Sequence, residues 1–490
     1  MATRVHCSFL NTNAVKMGAR VLFLLTVLLG FSLVHKAEQS SRFGTKTAYL
    51  FNASAASSLK IPANCHPVHL NMIVRHGSRY PSDGDREDID EFLGKLNKIY
   101  NESAPFRYQN LTIPWSKPTE WNNAMPSELS AAGENEQYNI ATRYRSRFPQ
   151  VFDKEYWNKY YTFVTSDKLR NAQSAMAFAF GLFEGRGPVA SSNFQPVAIT
   201  FSGRENDDKL LNSYNSCPRY EIDVKEHGAE EVEKFMAGPE VKDTVRRLEE
   251  RLKLNGKLSL TFDYVEKIFR LCSFGIMNRG DNTWCPLLED EDMKILEYQG
   301  DLEAYYEHSY GNKLSYKVVC PLLSEMTTNL QKFSEGKIEA RGVFRFASSG
   351  SLTSLLTILG LYNDSVPLKA DNYLEQSHRL FRLSNAVTMS ANIALVLLAC
   401  NSTEMAGKQH YKVQVLVNEA PVGLPCCHGN MTCALDRFLA CYEDTVKGCD
   451  FDAMCNVPPT GGIATASAAI FYPHPDMLAL AVVLLTLKNI

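Results

Sequence analysis

Apolar residues recur along this chain in two spacings, one typical of buried strands and one typical of helices. A short apolar run at residues 70–74 predicts a buried strand, and the same strand character is found at residues 161–165, 342–346 and 413–417. Helical apolar stretches occupy residues 172–182 and 352–361, each shortly after one of these strands. Because a strand that leads into a helix typically packs that helix against its own sheet, we expect an α/β fold with a central sheet and helices outside it.

Residues 203–340 have a different texture and are predicted to form a mostly helical insertion into the sheet domain. Within them, residues 230–254 are charged with apolar positions at helical spacing, which indicates two helices that break near Gly238 and Pro239. The acidic run at residues 289–292 is interpreted as a helix N-terminus, and a cation site is the alternative. Nearer the start of the chain, residues 127–148 predict a helix with Ser127 as its N-cap.

The composition is that of a globular protein large enough for two domains. The chain has 490 residues, of which 45% are hydrophobic and 21% are charged. The formal net charge of −3 argues against a nucleic-acid partner, because no basic region dominates. We predict an α/β sheet domain at residues 62–202 and 341–425, a loose leader at residues 38–61 and a cysteine-rich tail at residues 426–460.

Both ends of the chain have the character of targeting segments. Residues 1–37 predict a secretory signal peptide, because basic residues precede an apolar run that is short for a bilayer span; a signal anchor is the alternative. Residues 461–490 combine small residues, a spacer and an apolar tail, which fits a GPI-anchor signal; a buried terminal strand or helix is the alternative. We therefore expect a secretory-pathway protein that is either attached to the membrane by a lipid anchor at the cell surface or extracellular, with the endoplasmic reticulum lumen as a further location.

Sequons and cysteines indicate the same compartment. Six Asn-x-Ser/Thr sequons are predicted N-glycosylation sites, at Asn52, Asn101, Asn110, Asn363, Asn401 and Asn430. Of the 13 cysteines, Cys7 would leave with the signal peptide, so an even number remains, as disulfides require. The adjacent Cys426 and Cys427 are expected to bond to different partners. No Cys-x2-Cys pair has zinc spacing, so we predict disulfides and no metal.

The most informative motif, Arg-His-Gly-Ser-Arg-Tyr-Pro at residues 75–81, directly follows the first predicted strand. Guanidinium groups match phosphate oxygens in pairs, so Arg75 and Arg79 are predicted to bind phosphate, and His76 is predicted to be the nucleophile. Arg170 lies at the next strand-to-helix junction, and the carboxyl ends of adjacent strands converge in open α/β sheets. We therefore expect three arginines and one histidine to surround a single phosphate.

These motifs resemble those of the histidine acid phosphatases, in the branch of multiple inositol polyphosphate phosphatases. The resemblance covers residues 62–420 and includes Leu-Ser-Ala-Ala-Gly-Glu at 129–134 and Val-Gln-Val-Leu-Val-Asn-Glu at 413–419. It implies a mixed central sheet, attack of His76 on phosphorus, hydrolysis of the phosphohistidine by water, and no cofactor. It also implies a disulfide between Cys65 and Cys400. Cys272 and Cys285 are candidates for a local bridge because they lie close in sequence.

One motif departs from the family pattern. The family has a His-Ala-Glu or His-Asp motif before the helix predicted at residues 352–361, where this chain has Ser348, Ser349 and Gly350. Ser348 takes the position of the histidine and Gly350 that of the glutamate. The chain therefore lacks the usual general acid, a group commonly worth about 10²–10⁴ in rate.

Three functions remain open from the sequence. The first is a phosphomonoester hydrolase that removes phosphates from inositol polyphosphates such as phytate, or from another phosphomonoester. The second is a catalytically weak or inactive pseudo-phosphatase that binds inositol phosphates. The third, an adhesion or structural glycoprotein, is disfavoured because it would give three positioned arginines no purpose.

Overall fold

The structure is a computed structural model that describes residues 42–100, 106–108, 111–113, 116–204, 206–401 and 410–457. The predicted signal peptide, the predicted anchor signal, and the sequons at Asn101 and Asn110 lie outside these residues. Asn52, Asn363, Asn401 and Asn430 lie within them and are exposed.

The described residues contain ten strands, eight of which form one sheet. The strands are β1 (Cys65–Arg75), β2 (Phe106–Tyr108), β3 (Leu111–Ile113), β4 (Tyr161–Thr165), β5 (Ile199–Phe201), β6 (Gly342–Ala347), β7 (Asn392–Cys400), β8 (His410–Val417), β9 (Ala420–Val422) and β10 (Cys433–Ala434). The order across the sheet is β10-β8-β7-β1-β6-β4-β5, with β9 paired to β8, while β2 and β3 form a separate hairpin. β1, β6, β4 and β5 are parallel, and β7, β8, β9 and β10 pair in the antiparallel sense. The predicted mixed central sheet is therefore confirmed.

Helices cover both faces of the sheet, so its central strands are apolar on both sides. Their bounds are α1 (Ala53–Ser57), α2 (Asp83–Tyr100), α3 (Ala131–Arg147), α4 (Leu169–Phe183), α5 (Pro218–Tyr220), α6 (His227–Met236), α7 (Pro239–Arg251), α8 (Phe262–Arg279), α9 (Asp290–His308), α10 (Lys313–Lys317), α11 (Cys320–Ser334), α12 (Ser349–Ile358), α13 (Leu383–Ala386), α14 (Leu435–Lys447) and α15 (Phe451–Cys455). Within the described part of the chain, none of these helices has the length and apolar character needed to cross a membrane.

Strand β1 shows how the sheet divides the core. Leu70, Met72 and Val74 pack on one face with Phe344 of β6, against α3 and α4. Ile73 packs on the opposite face in a second, larger core cluster. Successive side chains of a strand point to opposite faces, which explains why an uninterrupted apolar run was needed here.

The start of α3 differs from the helix predicted at residues 127–148. Ser130, not Ser127, is the N-cap, and its hydroxyl accepts a hydrogen bond from the Gly133 N–H. Ser127 has a positive φ of 59° and lies in the turn before the helix. Both serines suit an N-cap chemically, and only the path of the preceding turn selects between them.

The prediction of a loose leader at residues 38–61 is wrong for the described part, residues 42–61. Phe43 is 2% exposed and belongs to the larger core cluster, and Thr47 is 1% exposed. The Met389 N–H donates to the Thr47 carbonyl, so this segment is fixed to the loop before β7. Its small and polar composition predicted a loose segment, but Phe43 packs in the core and attaches the segment to it.

Helices predominate among the described residues between β5 and β6, and the separate insertion at 203–340 stays a prediction. The cysteine-rich tail packs against the sheet domain. The acidic run at residues 289–292 forms a capping box at the start of α9, in which Glu289 and Asp292 satisfy each other's backbone N–H groups. In the tail, β10 pairs with β8, and Leu435 and Phe438 join the larger core cluster.

The described residues contain five disulfides, three of which join residues more than 100 positions apart. They join Cys65 to Cys400, Cys217 to Cys455, Cys272 to Cys285, Cys320 to Cys449, and Cys427 to Cys433. Two of them tie the tail to the helical insertion. Cys426 and Cys441 remain as half-buried thiols, so the adjacent Cys426 and Cys427 have different bonding states.

Candidate active site

The carboxyl ends of three neighbouring parallel strands bring the predicted site residues to one edge of the sheet. β6 lies between β1 and β4, and its Phe346 pairs with both Val74 and Thr165. His76 follows β1, Ser348 follows β6, and Arg170 lies in the first turn of α4, which follows β4. The parallel alignment therefore gathers side chains that are far apart in sequence.

His76 is buried and held in one tautomer. His76 is 2% exposed, and its Nδ1 lies 2.9 Å from the Gly77 carbonyl oxygen. A carbonyl only accepts, so Nδ1 carries the proton and Nε2 keeps a lone pair for attack on phosphorus. The His76 N–H donates to the Ala347 carbonyl at 3.1 Å, which fixes the histidine beside the end of β6.

The environment keeps the imidazole of His76 neutral. Burial lowers its pKa well below the usual value, and the charges of Arg170, Arg75 and Arg79 lower it further. Of the three charges, that of Arg170 has the largest effect on the pKa of the imidazole. A neutral imidazole is the nucleophilic form, so burial and the arginines favour the reactive state.

The arginines form a positive cluster with little compensating negative charge. Burial and the neighbouring arginines lower the pKa of Arg75 to about 9 and that of Arg79 to about 10, so both stay charged at neutral pH. Arg75 Nη1 donates to the carbonyls of Thr45 and Val387, at 2.5 and 2.9 Å. These neutral acceptors orient the guanidinium without neutralising it. An anion between the arginines would relieve their repulsion, which makes the cluster a phosphate site.

A close contact with α3 shapes the loop after β1. A Cβ on Gly77 would lie 2.5 Å from the Gly133 carbonyl oxygen, so only glycine fits there. Glu136 of α3 accepts hydrogen bonds from the N–H and hydroxyl of Ser78, and Gln137 donates to the Arg75 carbonyl at 2.8 Å. The sequence did not reveal Glu136 and Gln137, although they are the sixth and seventh residues of a helix that begins inside a recognised motif.

The degenerate donor tripeptide lies at the start of α12. Ser348 is the N-cap residue, yet its side chain makes no capping hydrogen bond to the described helix. The first N–H groups of α12 therefore remain available to an anion at the strand ends. Gly350 is buried and supplies no side chain, so the position of the usual glutamate is empty of any carboxyl group.

Lys46 is a further cation near the pocket that the sequence analysis did not identify. Burial lowers the pKa of its ammonium group, Asp85 raises it, and the charges of Arg79 and Arg270 lower it. The carboxylates of Asp85, Asp88, Glu266 and Glu303 act on Lys46 or Arg270 and oppose the charge of these two cations. The signal was present in the basic residue at position 46, but the expectation of a loose leader hid it.

A mixed sheet with a neutral imidazole and three guanidinium groups at one edge defines an α/β protein whose site suits phosphate. The family model of the histidine phosphatase superfamily (branch 2) matches residues 68–418, and the chain belongs to this superfamily. The curated relatives are named as phosphatases, so the chain falls in the class of phosphomonoester hydrolases.

Two of the similar curated proteins are multiple inositol polyphosphate phosphatase 1 of Gallus gallus and of Homo sapiens. The first is 28% identical over 463 residues, which cover 90% of this chain and 98% of the relative. The second is 27% identical over 481 residues, which cover 91% of this chain and 96% of the relative. The likeness therefore extends over nearly the whole length of both proteins.

Solved structures share the fold at lower identity. The phytase from D. castellii superposes with a TM-score of 0.68 at 18% identity, covering 85% of this chain and 87% of the phytase. The Bifidobacterium longum multiple inositol polyphosphate phosphatase, in complex with inositol hexasulfate, gives a TM-score of 0.61 at 17% identity, covering 82% and 97%. At these identities the match establishes the fold.

Proposed function

We propose that this protein removes phosphate groups from inositol polyphosphates through a phosphohistidine at His76. The observation that carries the proposal is the neutral imidazole of His76, with Nδ1 bound to the Gly77 carbonyl, among the charges of Arg75, Arg79 and Arg170. The imidazole attacks phosphorus, and the guanidinium groups balance the negative charge of the transferring group. Water then cleaves the phosphorus–nitrogen bond and releases inorganic phosphate.

The names of the curated relatives support inositol polyphosphates as the substrate class.

A catalytically weak binder of inositol phosphates is the second candidate function. Ser348 stands where the family has the proton-donor histidine and Gly350 where it has the glutamate of the same motif, and an alkoxide leaves slowly without a proton. The arginine cluster does not depend on that donor, so binding would persist when turnover is slow.

Phosphate release by the purified protein separates the two candidates. We expect release of inorganic phosphate from inositol hexakisphosphate at pH 5 and pH 7, measured together with binding by calorimetry. Saturable binding with no release above that of a His76→Ala variant would favour the binder and contradict the proposed hydrolase. Absence of both binding and release would contradict the two candidates alike.

The lowered pKa of His76 predicts an activity that persists in acid. An imidazole with the ordinary pKa of about 6.5 would lose roughly 30-fold of its neutral form between pH 7 and pH 5. Because burial and the arginines hold the pKa of His76 well below that value, we expect kcat/KM for the p-nitrophenyl phosphate dianion to change by less than about threefold over this interval. A tenfold fall per pH unit below pH 6.5 would show instead that His76 titrates normally.

We further propose that the protein acts in the secretory pathway, at the cell surface through a lipid anchor or outside the cell. The five disulfides suit an oxidising compartment, and the four described sequon asparagines are exposed for glycosylation. Release from intact cells by a phosphatidylinositol-specific phospholipase is the result expected for an anchor.

A further inference from the structure

The space of the missing donor side chain is filled by two aromatic rings from elsewhere in the chain. A Cβ on Gly350 would lie 2.8 Å from His308 Cε1, 3.0 Å from His308 Nε2 and 2.9 Å from Tyr214 Cε1. No side chain fits at position 350 while these rings are in place. A titratable imidazole therefore occupies the position where the usual carboxyl side chain would begin.

Hydrogen bonds orient the ring of His308 with Nε2 toward position 350. His308 is the last residue of α9, and its Nδ1 lies 3.0 Å from the Tyr220 hydroxyl. That hydroxyl donates its own proton to the Glu307 carbonyl, so it accepts from Nδ1–H of His308. Nε2 is then the nitrogen that takes up or releases a proton. The side chain of His308 is 17% exposed, so the ring is not sealed from solvent.

Position 350 borders the phosphate pocket. It lies in the first turn of α12, three residues after Ala347, whose carbonyl accepts the hydrogen bond from the His76 N–H. Tyr214 connects the two regions, because its ring centroid lies 5.0 Å from that of His308 and its hydroxyl affects the pKa of Arg75. The imidazole of His308 thus lies beside position 350, in the space that a side chain in the first turn of α12 would occupy.

We propose that His308 is the general acid of this protein and replaces, from helix α9, the carboxyl donor that is absent at position 350. This inference rests on the proposed phosphatase function. When His76 Nε2 attacks, the phosphorus–nitrogen bond forms and the bond from phosphorus to the leaving oxygen breaks. That oxygen takes the proton from His308 Nε2 and departs as a neutral alcohol.

The second step returns His308 to its starting state. A water molecule enters beside the phosphohistidine and gives its proton to the neutral His308 Nε2 as its oxygen attacks phosphorus. The phosphorus–nitrogen bond breaks, inorganic phosphate leaves, and His76 and protonated His308 are restored. One imidazole therefore acts as acid and then as base, with no net change in protons on the protein.

Groups from several elements set the proton affinity of His308. Burial lowers its pKa to about 4, with a smaller lowering by Lys225. Glu307 Oε2 lies 3.7 Å from His308 Nε2, and burial, with the charges of Glu303 and Glu221, raises the pKa of Glu307 to about 7. Tyr214 and Tyr220 are the other titratable groups in ring contact with His308. A bound polyanion favours the imidazolium, so protonated His308 should accumulate in the substrate complex and at acid pH.

Leaving-group dependence tests the assignment directly. The His308→Gln variant should lose about 10²-fold in kcat on inositol hexakisphosphate, whose alkoxide needs a proton, and less than about threefold on p-nitrophenyl phosphate. His66→Gln, which alters an exposed histidine at the start of β1, is the matched control and should leave both rates unchanged. Retained p-nitrophenyl phosphate turnover also shows that the variant is folded.

Two further measurements separate an acid from a merely structural ring. The His308→Ala variant leaves a cavity, and added imidazole should restore part of its inositol hexakisphosphate turnover without changing the p-nitrophenyl phosphate rate. The Gly350→Ala variant should displace the ring of His308 and reproduce the selective loss, which keeps the test open if changes at position 308 prevent folding.

The results that would overturn the assignment are distinct from those that would overturn the proposed function. Equal losses on both esters, or no loss on either, in the presence of wild-type turnover would reject His308 as the acid and leave the phosphatase intact. Absence of wild-type turnover on both esters would reject the hydrolase function and this role together.

Discussion

Replacement of His76 by alanine is expected to lower phosphate release from inositol hexakisphosphate by about 10⁴-fold or more, because removal of a covalent nucleophile eliminates the reaction path itself. Binding should change little in the same variant. Arg75 is held by the carbonyls of Thr45 and Val387, so the arginine cluster does not need the imidazole to keep its shape. We expect the dissociation constant for inositol hexakisphosphate to stay within about threefold of the wild-type value, a change well below 1.4 kcal/mol.

Steady-state release and calorimetric binding should be measured on the same preparations. His66→Ala is a suitable control because it removes an exposed imidazole from the other end of β1. Acid-labile phosphate should be trapped on the wild-type protein and be absent from the His76→Ala variant. Turnover by that variant within tenfold of the wild-type rate would show that another residue is the nucleophile.

The second large effect concerns stability and involves a buried ion cluster behind the site. Arg379 Nη2 lies 2.5 Å from Asp301 Oδ2 and 3.4 Å from Glu297 Oε2, and these three side chains are 3%, 0% and 2% exposed. Removing the arginine leaves two carboxylates buried without their counter-charge. We therefore expect Arg379→Met to lower the free energy of unfolding by about 3–5 kcal/mol, measured by urea denaturation at pH 7.

The matched control is Arg246→Met, which breaks an exposed pair. Arg246 is 57% exposed and contacts Asp243 and Glu250 on its own helix. Such surface pairs contribute about 0–1 kcal/mol, so this variant should unfold close to the wild-type urea concentration. Equal shifts in the two variants would contradict the view that burial, and not the number of ion pairs, determines the cost.

Asp301 and Glu297 lie on α9, the helix that ends at His308, so this cluster also fixes the position of the proposed acid. The Leu383 N–H donates to Asp301 Oδ1 at 2.9 Å, and the Ser384 hydroxyl donates to Glu297. Both contacts tie α9 to the start of α13. The sequence did not reveal that Arg379, Asp301 and Glu297 are buried together, because charged residues at helical spacing are usually solvated.

The strands of the fold were predictable because their signals are local. β4 has the predicted bounds, and β6 extends the predicted strand by one residue, to Ala347. The arginines and His76 lie at or just after the ends of strands, and the apolar pattern predicts that these strands are buried. In contrast, the helix cap predicted at Ser127 is at Ser130, because side-chain chemistry alone does not distinguish two serines three residues apart.

The packing of residues 42–61 could not be predicted, because it depends on contacts that are distant in sequence. Its small and polar residues have little helix or strand preference, and no periodicity reveals that Phe43 enters the core and Thr45 orients Arg75. Such contacts join residues that are distant in sequence. A short window of residues carries no information about them.

By itself, the sequence determined the apolar strands and the charged motifs at their ends, because burial and phosphate chemistry constrain which residue types occupy those positions. It also determined that position 350 has no side chain. Only the tertiary structure decided what occupies the vacated space, since His308 is 42 residues away in the chain and is brought there by the packing of α9 against α12. Side-chain contacts between separate helices depend on how the whole core packs, which no local pattern specifies.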